Sequence, residues 1–166
     1  MSTDTMAATL AKPGKYLSFV LGREEYGVEI LKVQEIIGIM DVTRVPRTPG
    51  FVRGVINLRG RVIPVVNLRG KFMMPSTEDT EKTCIIVVQV TNGDLTVTMG
   101  VIVDEVSEVL SFQQEQIEAA PSFGGGMDEA DYITGMGKLG KKVVILLDAD
   151  RVLKGEELEA MAQVGK

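Results

Sequence analysis

Two pairs of similar segments recur in the same order along the chain, and this internal repeat is the strongest constraint on the fold. Residues 26–37, YGVEILKVQEII, resemble residues 99–110, MGVIVDEVSEVL, with glycine, valine and glutamate at matching positions. Residues 54–68 then align without gaps on residues 135–149, so that glycine, leucine and basic positions coincide. Two matches in the same order indicate a duplicated all-β module.

The apolar residues fall in short runs that are typical of β-strands. Valine and isoleucine crowd the runs RVIPVVNL, CIIVVQV, LTVTMGVIVDEV and KKVVILLDA, and glycines and charges separate them. Residues 30–37 fit a helix by composition as well as a strand or a loop, and that choice stays open. Four to six short strands in about 70 residues is a size at which small barrels close and remove their exposed edges. We therefore expect an all-β chain of two small barrels.

Changes of composition predict where the domain begins and ends. Residues 1–15 are small and polar with a Pro-Gly pair, which is typical of a flexible leader. Residues 16–154 would hold the two barrels, adjacent or intertwined, and the polar stretch 75–82 is the expected crossover between them. Residues 155–166 carry apolar side chains at helical spacing, so a short C-terminal helix is expected.

The four letters NLRG occur twice, at residues 57–60 and 67–70. In the first copy, apolar residues lie on both sides of Arg59, which predicts a hairpin with its turn at or beside Gly60. Asparagine and glycine are common in turns for backbone reasons, so the repeat is read first as a strand end and a turn used twice. A cation at a hairpin tip is solvated unless an acidic partner meets it, which leaves Arg59 as a candidate contact residue.

The residue inventory argues against an enzyme. The chain has no histidine to act as a general base near neutral pH, and its one cysteine, Cys84, cannot provide a cysteine pair for zinc. Neither a P-loop nor a dinucleotide-binding glycine motif occurs in the sequence. We therefore expect no catalytic residue, no cofactor and no bound metal.

Charge and hydropathy bear on the class of partner. The 23 acidic and 18 basic residues leave a net charge of -5, so the overall attraction that nucleic-acid binders use is missing. No apolar run approaches the roughly 20 residues that a membrane span needs, and no signal-peptide core opens the chain. We expect a cytoplasmic protein without direct membrane insertion. The alternative is a small β-barrel module for a peptide or a nucleic acid, and it rests on a local cluster of Arg44, Arg47, Arg53, Arg59 and Arg61.

Four motifs in order give the chain a more specific resemblance. They are EEYGVEILKVQEI, RVPRTPGFVRGVINLRGRVIPVVNLR, GVIVDEVSEVL and ITGMGKLGKKVVILLDADRVL. Together they resemble the CheW-type chemotaxis adaptor, or coupling, proteins over nearly all of residues 16–153. The resemblance implies two SH3-like five-stranded β-barrels on a shared core. It also implies a non-enzymatic role: joining the cytoplasmic tip of methyl-accepting chemoreceptors to the regulatory domain of the histidine kinase CheA, in arrays at the inner face of the membrane.

The resemblance also implies contact residues. A receptor tip helix is expected in a groove between the barrels, with Val101 and Val103 supplied by the second barrel. From residue type alone, Val33, Val101 and Val103 are more readily core positions than contacts, because β-branched residues in short strands usually pack inward. The candidate receptor contacts are Val33, Glu35, Gly54, Asn57, Arg59, Val101 and Val103. The candidate kinase contacts are Val42 and Val45 on the outer surface of the first barrel and Phe123 on the second.

Overall fold

The computed structural model describes residues 11–119 and 132–153, together with residues 157, 159 and 161. The strands are β1 (Gly14–Leu21), β2 (Glu24–Glu29), β3 (Val33–Gly38), β4 (Val52–Leu58), β5 (Arg61–Asn67), β6 (Cys84–Asn92), β7 (Leu95–Val103), β8 (Glu105–Phe112), β9 (Ile117–Glu118), β10 (Ile133–Leu139) and β11 (Lys142–Leu147). Short helical pieces are α1 (Leu68–Lys71) and 3-10 turns at Ile30–Lys32, Gln114–Gln116 and Ala149–Arg151.

The strands form two curled sheets. Barrel 1 is the sheet with the order β3-β6-β7-β5-β4, and barrel 2 is the sheet with the order β8-β1-β2-β11-β10-β9. Barrel 1 closes through a bridge between Thr43 and Val55, where each N–H donates to the other residue's carbonyl oxygen at 2.8 Å. The predicted all-β fold of two barrel-like subdomains is confirmed.

The chain crosses between the sheets twice within the described strands. Crossover 1 is the 3-10 turn Ile30–Lys32, which leads from β2 in barrel 2 to β3 in barrel 1. Crossover 2 is Asp104, the single residue between β7 in barrel 1 and β8 in barrel 2. The similar segments 26–37 and 99–110 each contain one of these crossovers. One duplicated element is therefore a pair of consecutive strands that lie in different sheets and are joined by a crossover, and the barrels are intertwined.

The expected crossover at residues 75–82 is wrong. Strands β5 and β6, on either side of this stretch, belong to the same sheet, barrel 1. The N-terminal hairpin β1–β2 belongs instead to barrel 2, where β2 pairs in parallel with β11. Polar composition correctly indicates a loop, but it says nothing about which sheet the next strand joins, because strand partners are chosen by contacts distant in sequence.

The ends of the domain also differ from expectation. The leader ends before residue 15, because β1 begins at Gly14 and the buried Ala11 donates its N–H to the carbonyl oxygen of Thr134 at 2.8 Å. Residues 1–10 lie outside the described part of the chain. Of the expected C-terminal helix, residues 157, 159 and 161 have helical backbone, and Met161 is fully buried in the core. The remaining residues of 154–166 are not described.

The largest apolar cluster lies between the barrels and not inside either one. Strand β6 shows how it forms: Ile85 and Val87 face the interior of barrel 1, whereas Ile86 and Val88 face barrel 2. A strand that is buried on both faces needs apolar residues at every position, which explains the unbroken apolar run at residues 85–88 of β6. The apolar runs of the sequence thus encode three cores, one in each barrel and one shared.

Aromatic rings extend the shared core. Phe72, directly after α1 of barrel 1, stacks on Tyr132 of barrel 2 with a centroid separation of 4.8 Å. The same ring lies 5.7 Å from the ring of Tyr26 on β2. Such ring pairs add to the stabilisation that apolar burial gives the barrel junction.

The second pair of similar segments has equivalent local structure. Gly54 and Gly135 each adjoin a shift in the strand register. Each hairpin then turns through two residues and ends at a polar cap. Asn67 accepts the N–H two residues further on at 3.1 Å, and Asp148 does the same at 2.9 Å. The second NLRG copy is therefore the start of α1 and not a second hairpin turn.

Crossover 2 is held by a charged fork. Asp104 accepts two hydrogen bonds from Arg69, from Nε at 2.8 Å and from Nη2 at 2.6 Å. The same carboxylate accepts the N–H of Gly22, in the β1–β2 turn, at 2.8 Å. These bonds, those from Arg69 foremost, lower the pKa of Asp104 against the opposing effect of burial. We name this pair the Arg69–Asp104 clamp, since it ties α1 of barrel 1 to barrel 2.

Crossover 1 carries a second ion pair with the signs exchanged. Lys32 donates to Asp150 at 2.7 Å, and Asp150 also accepts the N–H of Thr91 on β6 at 2.8 Å. Asp150 follows β11 and, like Arg69, is the first residue after its aligned segment. In this Lys32–Asp150 clamp the crossover supplies the cation, whereas crossover 2 supplies the anion.

Replacing Asp104 by asparagine should lower the free energy of unfolding by about 2 kcal/mol at neutral pH, the size of a hydrogen bond to a charged group. The pKa of Asp104 is below its ordinary value of 3.8 in the folded protein. The ionised carboxylate therefore contributes stability above pH 3.8, and this contribution is lost as the pH falls through the folded pKa. In urea unfolding, the difference between wild type and Asp104→Asn should shrink on acidification.

Glu118→Gln is the matched control. It removes a carboxylate that pairs with Lys138 on the surface of barrel 2, and exposed pairs contribute little to stability. A difference for Asp104→Asn that stays constant on acidification would show that its carboxylate is not stabilised by Arg69.

Candidate functional site

The hairpin β4–β5 presents the first NLRG motif at one end of barrel 1. Leu58 pairs with Arg61, so the turn consists of Arg59 and Gly60, whose φ angles are +54° and +86°. Two positive φ angles are the mark of a type I′ turn, which matches the twist of the strands. The side chain of Asn57 accepts the N–H of Gly60 at 2.9 Å. The predicted turn at Gly60 is confirmed, and Asn57 has a local role in shaping it.

The acidic partner of Arg59 comes from the chain itself. Arg59 Nη1 donates to both carboxylate oxygens of Glu35 at 3.0 and 2.9 Å, and Nη2 donates to Oε2 at 2.6 Å and also to Oε1. The Arg59 side chain remains 64% exposed and that of Glu35 30% exposed. An exposed pair of this kind adds little to stability. It holds two opposite charges in a defined geometry at the surface of barrel 1.

A bulge in β3 places Glu35 in this position. The register of β3 against β6 shifts between Val33 and Glu35. Val33 packs against the shared core, whereas Glu35 lies opposite Val87, which faces the interior of barrel 1. Bulges re-aim side chains in this way. One short strand therefore carries an apolar residue toward the barrel junction and a carboxylate at the end of barrel 1.

The two valines assigned to the second barrel lie elsewhere. Val101 and Val103 are on β7, in barrel 1, two strands from β3. Val103 is fully buried in the shared core, so it cannot contact a partner directly. The sequence could not show this, because β7 follows the loop that was taken for the crossover.

Val101 is half-buried and lines a pocket between the barrels. We name this pocket the junction pocket; Phe19 and Val28 line it from barrel 2, and Ile86 and Val101 from barrel 1. Every residue that lines it is apolar. The junction pocket is therefore an apolar crevice in the shared core, built by strands of both sheets, and of the described residues that line it Val101 is the one that keeps appreciable exposed area.

Gly54 has a structural role that no other residue type fits. A Cβ at this position would lie 2.1 Å from the carbonyl oxygen of Thr43 and 2.8 Å from Val42, and its φ is +145°. Val42 packs against the interior of barrel 1, and Val45 follows it on the same irregular segment, half-buried. Gly54 thus belongs with Val42 at the closure of barrel 1, apart from the Arg59–Glu35 pair. Phe123 lies outside the described residues.

Two exposed apolar residues beside Glu35 were not singled out from the sequence. Leu31, on crossover 1, is 90% exposed, and Ile36, on β3, is 43% exposed. Ile36 lies opposite Ile86, a wall of the junction pocket, so it shares that face of the sheet. The sequence did not indicate that these residues are exposed, because residues 30–37 fit a helix or a strand. Which side of the element each side chain faces depends on that choice.

The arginine cluster that supported the alternative is partly neutralised. Arg53 forms an ion pair with Asp79 at 2.5 Å, and Arg59 pairs with Glu35. In the described part of the chain, no group of three acidic, cysteine or histidine side chains is placed to hold a metal ion. The helices that the structure describes include none long and apolar enough to cross a membrane.

Two intertwined barrels with an exposed ion pair and an apolar junction pocket define a class of β-barrel interaction module. A family model, the CheW-like domain, matches residues 15–157. The chain belongs to this CheW-like family.

Named relatives agree with the family. The chain is 44% identical to the chemotaxis protein CheW of Klebsiella aerogenes, with 92% of this chain and 89% of that protein covered. It is 32% identical to the chemotaxis protein CheW of Bacillus subtilis, with 93% and 96% covered. The crystal structure of the scaffolding protein TtCheW from Thermoanaerobacter tengcongensis superposes with a TM-score of 0.74 at 29% identity, covering 87% of this chain and 95% of that one. The family and these relatives support a chemotaxis adaptor role.

The structural role of Gly54 can be tested against a second glycine of the same hairpin. Gly54→Ala should lower the free energy of unfolding by more than about 3 kcal/mol, since the new Cβ meets backbone atoms that cannot move away cheaply. Gly60→Ala is the control: its φ is also positive, but no atom lies within 4 Å of the new Cβ, so about 1 kcal/mol is expected. Thermal and urea unfolding give both values. Similar losses for the two variants would refute the close approach at Thr43.

Proposed function

We propose that this protein is a non-enzymatic adaptor that couples methyl-accepting chemoreceptors to a CheA-type histidine kinase. The observation that carries the proposal is the exposed Arg59–Glu35 pair at the end of barrel 1, on a chain of the CheW-like family. The protein works in the cytoplasm and reaches the inner face of the membrane through the receptor array. Its role needs binding surfaces and no bond-making chemistry.

The receptor contact uses the end of barrel 1 and the barrel junction. An amphipathic helix in a groove is held by apolar anchors and oriented by charges. Val33, Ile36 and Val101 supply apolar surface toward the junction, and the Arg59–Glu35 pair supplies the charges. Since both charged side chains keep exposed area, either can exchange part of its intrachain pairing for a group on the receptor helix. Gly54 and Asn57 shape the backbone that holds this surface.

The kinase contact lies on a different part of barrel 1. Val42 and Val45 belong to the segment that closes the barrel between β3 and β4. This segment is rigidly tied, because Thr43 bridges to Val55 and Thr48 donates its hydroxyl to the carbonyl of Val45 at 2.9 Å. Phe123 remains the proposed second kinase contact. Separate surfaces allow one adaptor to hold the receptor and the kinase together.

Control of the kinase follows from differential binding. A receptor can change kinase activity through this adaptor only as far as the contacts differ between the kinase-on and kinase-off states. The coupling is reciprocal for binding: if the kinase domain raises the affinity for the receptor helix, the receptor helix raises the affinity for the kinase domain by the same factor.

A ternary complex tests the proposal. Purified protein should bind the regulatory domain of a CheA-type kinase and a receptor-tip fragment together in a pull-down at two salt concentrations. A contact built on apolar anchors should persist at the higher salt, whereas binding to a nucleic acid would fall steeply. Binding to neither protein, with salt-sensitive retention of an oligonucleotide, would favour the alternative barrel module.

Arg59→Ala and Glu35→Gln should separate binding from stability. Each variant should lose less than about 1 kcal/mol of unfolding free energy, since the pair is exposed. Each should lower the affinity for the receptor-tip fragment about tenfold, the size of one good interface contact, and leave the affinity for the kinase domain unchanged. Calorimetry gives the affinities and circular dichroism the fold.

Arg61→Ala is the control, because it removes a cation from the same hairpin without touching Glu35. If Arg61→Ala lowers the affinity for the receptor-tip fragment by the same factor, the effect comes from net charge and not from the Arg59–Glu35 pair. Unfolding of Arg59→Ala would show that the pair supports the barrel and would refute the surface assignment.

A further inference from the structure

Both crossovers are clamped by ion pairs that run between the barrels. In the Arg69–Asp104 clamp the side chains are mostly buried, and the carboxylate also accepts the N–H of Gly22 from barrel 2. In the Lys32–Asp150 clamp, Asp150 also accepts an N–H from β6 of barrel 1. Asp104 therefore bonds to groups of both barrels, and Asp150, which follows β11 of barrel 2, bonds to crossover 1 and to barrel 1. A shared apolar core does not need such contacts to be stable, so their placement calls for another explanation.

The clamps adjoin the junction pocket directly. Leu68 and Ala149 line the pocket, and each is followed in the chain by a clamp residue, Arg69 and Asp150 respectively. Arg69 and Asp150 are each the first residue after the aligned segments 54–68 and 135–149, one in each copy. The clamps thus hold the pocket through both copies of the duplicated element.

The clamps also adjoin the candidate receptor contacts. Lys32 immediately precedes Val33, the first residue of β3, and Asp104 immediately follows the end of β7, which carries Val101. A rotation of one barrel against the other turns about these crossovers and changes the spacing of the pocket walls. Apolar contacts are non-directional, so the core alone tolerates small rotations, whereas a bidentate fork fixes direction as well as distance.

We propose that the two charge-reversed clamps are positioning pairs that hold the walls of the junction pocket at the spacing an amphipathic partner helix needs. The functional part of this inference rests on the proposed receptor contact. None of the four clamp residues has to touch the helix. They act by keeping the pocket in its binding-competent form. The affinity is then not reduced by a fraction of molecules whose pocket has another spacing.

The spacing of the barrels can be measured without any partner. Spin labels at Val62→Cys on barrel 1 and Val143→Cys on barrel 2, in a Cys84→Ser background, report the distance between the sheets. Both label sites are about half exposed. Wild-type clamps should give a narrow distance distribution, and Lys32→Gln with Arg69→Gln should broaden it. Lys138→Gln is the matched control, since it removes a cation from an ion pair that lies wholly within barrel 2.

Binding of the receptor-tip fragment tests the functional consequence. If the pocket is competent in about one molecule in ten after the clamps are broken, the affinity for the fragment falls about tenfold. One-to-one affinity for the kinase regulatory domain at the Val42 and Val45 surface should change less than about twofold, since both residues lie within barrel 1. A merely structural role would lower both affinities together. Should Arg69→Gln fail to fold by circular dichroism, Lys32→Gln alone carries the same test.

The outcomes separate the two proposals. An unchanged distance distribution in the clamp variants overturns the positioning role, whatever the binding results. A broadened distribution with unchanged receptor affinity overturns it as well, because pocket spacing would then have no effect on binding. The distance distribution could broaden in the clamp variants while the wild-type protein fails to bind the receptor fragment. That result supports the role of the clamps in setting the barrel spacing and refutes the proposed receptor contact.

Discussion

The apolar core between the two barrels is the constraint on which the rest of the structure depends. Strand β6 illustrates it, because Ile85 faces into barrel 1 while its neighbour Ile86 faces barrel 2. A strand buried on both faces cannot be exposed on either without loss of the apolar burial that drives folding. Each half of the chain is also small for an independent core. The barrels therefore fold as one unit, and any surface between them is built by both.

The ion pairs at the crossovers constrain how the two sheets are oriented on this shared core. Apolar packing supplies most of the free energy, while the Arg69–Asp104 and Lys32–Asp150 clamps supply geometry at the two places where the chain passes between sheets. Arg69 and Asp150, which follow the two aligned segments at equivalent positions, carry opposite charges, and so do their partners Asp104 and Lys32 on the crossovers. Partly buried ion pairs are poor sources of net stability, and here they link groups on the two sides of the barrel junction.

The Arg59–Glu35 pair has the opposite character. It lies at the open end of one barrel, keeps a large exposed area and adds little to folding, although a type I′ turn and a strand bulge both serve to present it. Features that contribute little stability and yet are held by special backbone geometry are typical of contact surfaces. In this chain the arrangement separates residues that hold the barrels, such as Gly54 and Val103, from charged residues whose side chains keep exposed area.

The sequence by itself determined the all-β class, the duplication, the hairpin turn at Gly60 and the family, because alternation, turn chemistry and motif order are local patterns. It could not determine that the hairpin β1–β2 pairs with β11, or that Val101 belongs to barrel 1, because strand partners are selected by contacts distant in the chain. The same holds for the site. Arg59 was identifiable as a cation at a turn, but its partner Glu35 lies 24 residues away on another strand. Only the closure of barrel 1 brings the two side chains within hydrogen-bonding distance.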